Sequence, residues 1–340
     1  MATEMNLMMR QQLLDKRLQL ESAAAYAIQK REIERLLKEV DSALERMDKG
    51  TYGLCKVCHE PIETERLIAD PLLQFCLEHL TPNQQRALEA DLKLARQIQE
   101  KLLPERDLTH GDWDVSFHYE PAGLVSGDYC DLIPAKEGAL YFILGDVSGK
   151  GVAASLLMAH LHAMFRSLMA FDLPLVKIVE QASRVFCEST LPTHYATLVC
   201  GKASPSGEVE ISNAGHPPGL WVQNGKIESI AATGLPIGAF CDERFSVKKL
   251  NLSKGDFLFF YSDGLSEARS EAGIEYGQDR ISERIKKSFQ LSSSEIIKAS
   301  LDDLIAFSGG ATHQDDLTIM AIRRRGTSPA RFSSSTRKAV

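Results

Sequence analysis

The chain has no stretch that reads as a bilayer span. Its most apolar window, Gly151 to Phe171, is interrupted by His160, His162 and Arg166 and predicts a buried helix instead. No export leader is legible, because Met1 to Arg10 is polar and no apolar segment follows it. An excess of positive charge is lacking too: the net charge is −7 over 340 residues, which argues against nucleic-acid binding by bulk electrostatics. The seven cysteines are odd in number and, with no leader, point to thiols kept reduced in a cytoplasm. No internal repeat is present. What remains is a hydrophobic share of 44%, ordinary for a globular chain, and a length that suits two domains of unequal size.

Glycine and proline are missing from Met8 to Lys49, which predicts one long helix or two in tandem. Ile33, Leu37, Val40, Leu44 and Met47 alternate spacings of four and three, a heptad seam. Leu14, Leu18 and Ala23 to Ala25 form a looser stripe upstream. Such a seam serves either packing within its own domain or a self-associating coiled coil, and the sequence leaves both open. Gly50 and Gly53 end this region. A further helix starts at Thr81-Pro82, with Thr81 as N-cap and Pro82 at the first helical position, and runs to Leu103. Leu88, Leu92, Ala95, Ile98 and Leu102 form its apolar stripe.

After Pro104 the texture changes. Strand-like runs fall at Trp113 to Tyr119, Leu140 to Leu144, Thr197 to Gly201, Val209 to Ser212, Phe245 to Leu250, Phe257 to Tyr261 and Leu317 to Ile322. Helical runs fall at Val152 to Ala170, Leu175 to Ser189, Asp279 to Phe289 and Ser294 to Phe307. Strands following strands, with helices in separate pairs, predict an α+β layered domain with largely antiparallel sheets. The expected division is a helical and cysteine-rich region over 1–80, a linker helix over 81–104, the larger domain over 105–324 and a basic, disordered tail over 325–340.

Cys55-x2-Cys58 and Cys76-x2-His79 are two close pairs separated by seventeen residues, a spacing that fits a tetrahedral zinc ion. Cys55-Lys56-Val57-Cys58-His59 also matches the haem-attachment pattern, but that needs export. His59, directly after Cys58, is poorly placed to join the same ion, so His79 is the expected fourth ligand. The stretch Glu45-Arg46-Met47-Asp48-Lys49-Gly50-Thr51-Tyr52-Gly53-Leu54-Cys55, with Glu60-Pro61-Ile62, Glu65-Arg66-Leu67 and Cys76, resembles the DksA/TraR-type zinc finger. In that family a helical hairpin precedes a four-cysteine finger. This chain departs at the last ligand, where His79 stands for cysteine, and histidine still supports zinc. The acidic tip residues through which that family acts on RNA polymerase are not identifiable here.

Four acidic motifs follow: Ser126-Gly127-Asp128, Gly145-Asp146-Val147-Ser148-Gly149-Lys150-Gly151, Ser262-Asp263-Gly264 and Asp315-Asp316-Leu317-Thr318. Each alone reads as a turn. Together they place carboxylates at the ends of apolar, strand-like runs, which suits hard divalent cations such as Mg²⁺ or Mn²⁺. Gly149-x-Gly151-x-x-Ala154 imitates a dinucleotide fingerprint, but Asp146 would repel a pyrophosphate there. A Walker A loop fails because Lys150 stands where its second glycine belongs. No cysteine heads a C-x5-R phosphate loop.

These motifs, with Ala95-Arg96-Gln97-Ile98-Gln99, Leu102-Leu103-Pro104, Tyr129-Cys130-Asp131, Asn213-Ala214-Gly215-His216-Pro217-Pro218 and Leu265-Ser266-Glu267-Ala268, resemble the SpoIIE-type branch of the PPM metal-dependent serine/threonine phosphatases. The resemblance runs from about Leu102 to Arg323 and implies a sandwich of two antiparallel sheets flanked by helix pairs. It implies that Asp146 bridges two Mn²⁺ or Mg²⁺ ions, that the Val147 carbonyl joins one, and that Asp128, Asp263 and Asp315 complete the set. The implied reaction is in-line attack on phosphorus with no phosphoenzyme. Ser126 and Cys130 depart from the branch without removing a ligand. Ser148 stands where the larger family has a histidine general acid, and His216 reads as a turn or packing residue as readily as a catalytic one. The implied substrate is a phosphorylated anti-sigma-factor antagonist. The chain is further expected to be a cytoplasmic homodimer whose N-terminal part pairs and sets the linker helix, so that finger and linker regulate the site. Two alternatives are a phosphoprotein-binding scaffold without turnover and a transcription regulator that binds RNA polymerase.

Overall fold

The computed structural model describes residues 2–24, 30–79, 82–171, 173–191, 193–309 and 315–326. The expected N-cap at Thr81 and the expected disordered tail beyond Gly326 lie outside them. Two units are distinguished, Met1–Asp91 and Leu92–Val340.

In the first unit the glycine-free stretch forms two helices, α1 (Ala2–Ala24) and α2 (Lys30–Asp48). Arg10 pairs with Asp48 at 2.8 Å and Arg17 with Asp41 at 3.1 Å. Numbers rise along one helix as they fall along the other, so the two are antiparallel. Leu13, Val40 and Ala43 are buried between them, with Leu44 and Met47 packed alongside. The heptad seam is therefore used inside a helical hairpin, the first of its two readings. Gly50 and Gly53, at φ +68° and +81°, turn the chain into the cysteine-rich segment, which holds α3 (Thr64–Ala69). Next comes α4 (Pro82–Leu102), which spans the boundary between the units. Leu88, Leu94 and Ile98 on this helix are exposed.

The second unit continues with β1 (Asp107–His110), β2 (Trp113–Glu120), β3 (Asp128–Pro134) and β4 (Leu140–Val147). Helices α5 (Gly151–Met169) and α6 (Leu175–Ser189) follow, then β5 (Ala196–Ala203), β6 (Glu208–Ala214), β7 (Gly219–Gln223), β8 (Lys226–Ile230), β9 (Lys248–Asn251) and β10 (Phe257–Tyr261). The order closes with α7 (Asp263–Ser266), α8 (Gly277–Lys286), α9 (Ser293–Ser308) and β11 (Leu317–Arg324). The strands form two antiparallel sheets, ordered β1-β2-β11-β10-β7-β8 and β3-β4-β5-β6-β9. This is the expected α+β sandwich.

Strand periodicity explains the apolar runs. In β4, Leu140, Phe142 and Leu144 point into the space between the sheets, while Tyr141 and Ile143 point to α5 and α6. In β10, Leu258 and Phe260 face the interior, while Phe257, Phe259 and Tyr261 face α8 and α9. Both strand faces are covered, so no polar alternation survives in the sequence. The rings of Phe142 and Phe260 stack across the sandwich at 5.5 Å.

The structure departs from the sequence reading in four places. Strands β1, β3, β7 and β8 were not expected. Of these β3 matters most, and it was hidden because Asp128 and Asp131 interrupt its apolar residues. The run Phe245 to Leu250 is strand only from Lys248. By length and composition α5 is apolar enough to cross a membrane, contrary to the sequence reading, but it lies on β3 and β4 with Ala154, Met158, Leu161 and Phe165 buried and Val152 and Leu156 exposed. Cys187 and Cys241, read as free thiols, form a disulfide; they lie 54 residues apart in sequence, and the fold brings their Cα atoms to 5.4 Å.

Candidate metal centres

Asp128 opens β3 and Asp146 lies near the end of β4, and the two are direct cross-strand partners. The loop leading to Asp128 is pinned from several sides. Gln99 of α4 donates to the Ser126 carbonyl at 2.7 Å and accepts from the Ser126 N–H at 3.0 Å. The Gly127 N–H donates to Asp316 at 2.9 Å. Gly127 carries no side chain for a local reason: a Cβ there would meet the Val147 carbonyl oxygen at 3.1 Å and Asp146 Oδ1 at 3.5 Å. The Val147 carbonyl and the Asp146 carboxylate thus share one small space beside Gly127.

The other two motifs arrive from the second sheet. Asp263 is the first residue of α7, directly after β10 and Ser262. The Ser262 hydroxyl accepts from the Thr318 N–H at 2.9 Å and donates to the Asp316 carbonyl at 3.2 Å, tying the end of β10 to the start of β11. Gly264 lies against the Asp316 carbonyl with no room for a Cβ. The adjacent acids differ. Asp316 accepts from the Ala122 and Gly127 N–H groups at 2.8 and 2.9 Å and shapes the loop. Asp315 instead meets the Lys150 ammonium at 2.9 Å, on the side facing Asp146 and Asp263.

Electrostatics marks these carboxylates as a set in need of a cation. Asp128 is 1% exposed; burial first, then the Asp146 charge, pushes its carboxyl well above the usual range. Its Oδ2 accepts from the Thr318 hydroxyl, while Oδ1 is buried with no partner. Burial, then Asp263, Asp315 and Asp316, raise Asp146 to about 7. Asp263 is raised by burial and by Asp315. An orphaned buried carboxylate oxygen, mutually repelling acids and an all-oxygen donor set fit Mg²⁺ or Mn²⁺. No three of these carboxylates bring ligand oxygens within 4.8 Å of one another.

Among the described residues, the one set whose ligand atoms all lie within that distance is Cys55, Cys58, Cys76 and His79 in the first unit. The Cys58 and Cys76 sulfurs are 3.8 Å apart, and Cys76 Sγ is 3.2 Å from His79 Nδ1. A tetrahedral zinc with Zn–S bonds of about 2.3 Å sets its sulfurs about 3.8 Å apart. Burial alone would raise the Cys55 thiol, but N–H groups of Cys58, Cys76 and Val57 bring it down to about 6, toward the thiolate that metal binding requires. His59 is exposed, at φ +60°, and is not among the four.

His216 is buried, and burial drives its imidazole down to about 3, so it is neutral. Its Nδ1 meets the Thr197 hydroxyl at 3.0 Å, and Thr197 is the cross-strand partner of Asp146. That is a positioning geometry, not one for delivering a proton. The sequence reading quoted Gln99, Lys150 and Thr318 within motifs but gave them no role. Each becomes legible only through a partner more than 25 positions away.

Comparison with known proteins identifies two families along the chain. A family model described as stage II sporulation protein E (SpoIIE) matches residues 136–325, and one described as prokaryotic dksA/traR C4-type zinc finger matches residues 50–78. Protein IcfG of Synechocystis sp. is 27% identical over 263 residues, 69% of this chain and 41% of that protein, so the chain spans well under half of that relative. Phosphoserine phosphatase RsbU of Bacillus subtilis is 25% identical over 244 residues, 71% of this chain and 72% of that protein. The solved RsbU and RsbW domains of Rv1364c from Mycobacterium tuberculosis superpose with a TM-score of 0.58 at 25% identity, covering 67% of this chain and 63% of that one.

Proposed function

This chain belongs to the SpoIIE family, and from that membership and the carboxylate geometry we propose that it is a metal-dependent phosphatase acting on phosphoserine or phosphothreonine in a protein. The observation that carries the reading is the Asp128–Asp146 rung, with Asp263 and Asp315 brought toward it from the opposite sheet. Asp128, Asp146, Asp263, Asp315 and the Val147 carbonyl are the residues that would hold two Mn²⁺ or Mg²⁺ ions. Such ions supply nucleophile activation and neutralise charge on the transferring phosphoryl group.

The chain's own residues do the rest. The Asp128–Asp146 rung is backed by β3 and β4, so the carboxylates are held by strands rather than by a free loop. Gln99, Asp316 and Gly127 fix the loop that presents Asp128. Lys150 is a cation beside Asp315 and is placed to attract a phosphoester dianion toward an otherwise acidic surface. Neutral His216 orients Thr197 behind Asp146 and is not the proton donor.

The substrate in this reading is a phosphorylated anti-sigma-factor antagonist in a cytoplasmic partner-switching pathway; the likeness to the phosphoserine phosphatase RsbU supports its phosphoserine chemistry. Cys55, Cys58, Cys76 and His79 hold one structural Zn²⁺. A homodimer forms through the exposed stripe of α4, on which Leu88 and Ile98 lie uncovered, and the state of that helix reaches the site through the Gln99–Ser126 contact.

The test is hydrolysis of a small aryl phosphate by purified protein, with and without Mn²⁺ or Mg²⁺, beside Asp146→Ala. Metal-dependent turnover lost in the variant is expected. No turnover with either metal, even after removal of the first hundred residues, would replace catalysis by phosphoprotein binding.

A further inference from the structure

Seven cysteines divide into three environments. Cys55, Cys58 and Cys76 belong to the zinc set. Cys130 and Cys200 are buried, and burial pushes both thiols up, so they are inert. The remaining two are the bonded pair, with Cys241 exposed and Cys187 half-buried. A solvent-reachable disulfide is the labile kind, and outside oxidising compartments such bonds are transient or sensory.

Its position connects it to the metal carboxylates. Cys187 lies on α6, next to Phe186. Cys241 follows a segment that packs on that same turn of α6. Gly238, at φ +81°, donates to Ser183 at 3.3 Å, and Phe186 fills the space a side chain at Gly238 would need. Ile237 in that segment exchanges two backbone hydrogen bonds with Ala196, at 2.9 and 2.8 Å. Ala196 opens β5 opposite Val147, and Thr197 lies opposite Asp146. Tyr195, just before, exchanges hydrogen bonds with Ser148 at 2.9 and 3.0 Å. One covalent bond therefore clamps the segment that buttresses the strand end carrying Val147 and Asp146.

We propose that Cys187 and Cys241 form a reversible thiol–disulfide site whose closed form strengthens metal binding at the carboxylates. The oxidant is a peroxide. The exposed Cys241 thiolate attacks a peroxide oxygen, giving a sulfenic acid and, from hydrogen peroxide, hydroxide that is protonated to water. The Cys187 thiolate then attacks the Cys241 sulfur and expels hydroxide, and the two thiol protons turn both hydroxides into water. Two thiols and one hydrogen peroxide thus give one disulfide and two waters. A dithiol reverses the step by exchange and is itself oxidised to a disulfide. With the bridge closed, the 237–241 segment is held against β5, and less ordering remains for metal binding to impose. The thiol chemistry stands by itself; its effect on catalysis rests on the phosphatase reading.

Full-length, zinc-loaded protein treated with hydrogen peroxide or with a dithiol, freed of reagent, decides this. Alkylation and mass spectrometry report the Cys187–Cys241 linkage, and calorimetry reports Mn²⁺ affinity. The expected result is a linked peptide in the oxidised form only, with Mn²⁺ bound about fivefold more tightly. That difference vanishes in Cys187→Ser and in Cys241→Ser. A linkage that survives the dithiol, equal affinities in the two forms, or a difference that persists in Cys241→Ser would each overturn it. Absence of aryl phosphate turnover in both forms would count against the phosphatase reading alone, and the linkage and the calorimetry would still decide the thiol site.

Discussion

Asp128 and Asp146 face each other across one rung of an antiparallel sheet, both carboxylates largely withdrawn from water. Like charges directly opposite on a sheet are destabilising. A cation between them would relieve that repulsion.

Removing one of the charges should therefore separate stability from function. Asp128→Asn or Asp146→Asn is expected to make chelator-treated protein more stable by on the order of 1 kcal/mol, read by calorimetric melting. The same variants should lose metal-dependent phosphatase activity by about 100-fold or more. A variant that melts lower while keeping activity would contradict the assignment.

The pH dependence has a definite sign. Asp146 is raised to about 7 in the folded chain, against about 3.9 for an unfolded aspartate. Between those values the folded state binds more protons than the unfolded one, so metal-free stability falls as pH rises from about 4 through about 7. Asp128, raised by burial and by Asp146, carries the same trend upward. Urea melts in chelator at pH 5 and pH 8 should show the loss, saturating Mn²⁺ should flatten it, and Asp146→Asn should reduce it.

Gln99 satisfies both backbone groups of buried Ser126. Gln99→Ala leaves an N–H and a carbonyl without partners and should cost about 1–3 kcal/mol. A lower melting temperature, together with weaker Mn²⁺ binding by calorimetry, is the expected pair of readouts.

Asp131, fully buried on β3, receives two hydrogen bonds from Arg166 of α5, at 2.8 and 2.6 Å, with His162 at 3.7 Å. Arg166→Ala leaves the buried carboxylate with only the Leu132 N–H, the Tyr129 hydroxyl and His162, and breaking a buried pair costs about 3–5 kcal/mol. The half-exposed guanidinium places the expectation at the low end. Double replacement with Asp131→Asn should recover part of the loss.

The finger makes a compositional prediction. Native protein should carry one zinc per chain, released by chelator with loss of the folded finger. His79→Ala should lower zinc content, and His79→Cys should keep it, read by a chromogenic zinc indicator.

Much of this molecule was legible in its residues because the signals were local. The cysteine spacing, the absence of glycine and proline from the first helices, and the apolar runs of β4 and β10 each report on neighbours along the chain. Strand β3 was not legible, since buried acids broke its pattern, and the reason those acids are buried lies in β4 and β11. The heptad seam illustrates the same limit. Its periodicity marked an apolar face, and the arginine pairs with Asp41 and Asp48 showed that the covering partner is α1.

By itself the sequence determined the residue types, their order and their local conformations: carboxylates at strand ends, sulfur and imidazole in a tight finger, glycines where the backbone must pass closely. Tertiary structure decided which acid does what. Asp315 and Asp316 are neighbours of identical chemistry, yet one meets Lys150 and the other two backbone N–H groups. It also joined Cys187 to Cys241. Spacing along a chain carries no information about distance across a sandwich, because contacts between strand ends are set by sheet register and by the packing of one sheet on another.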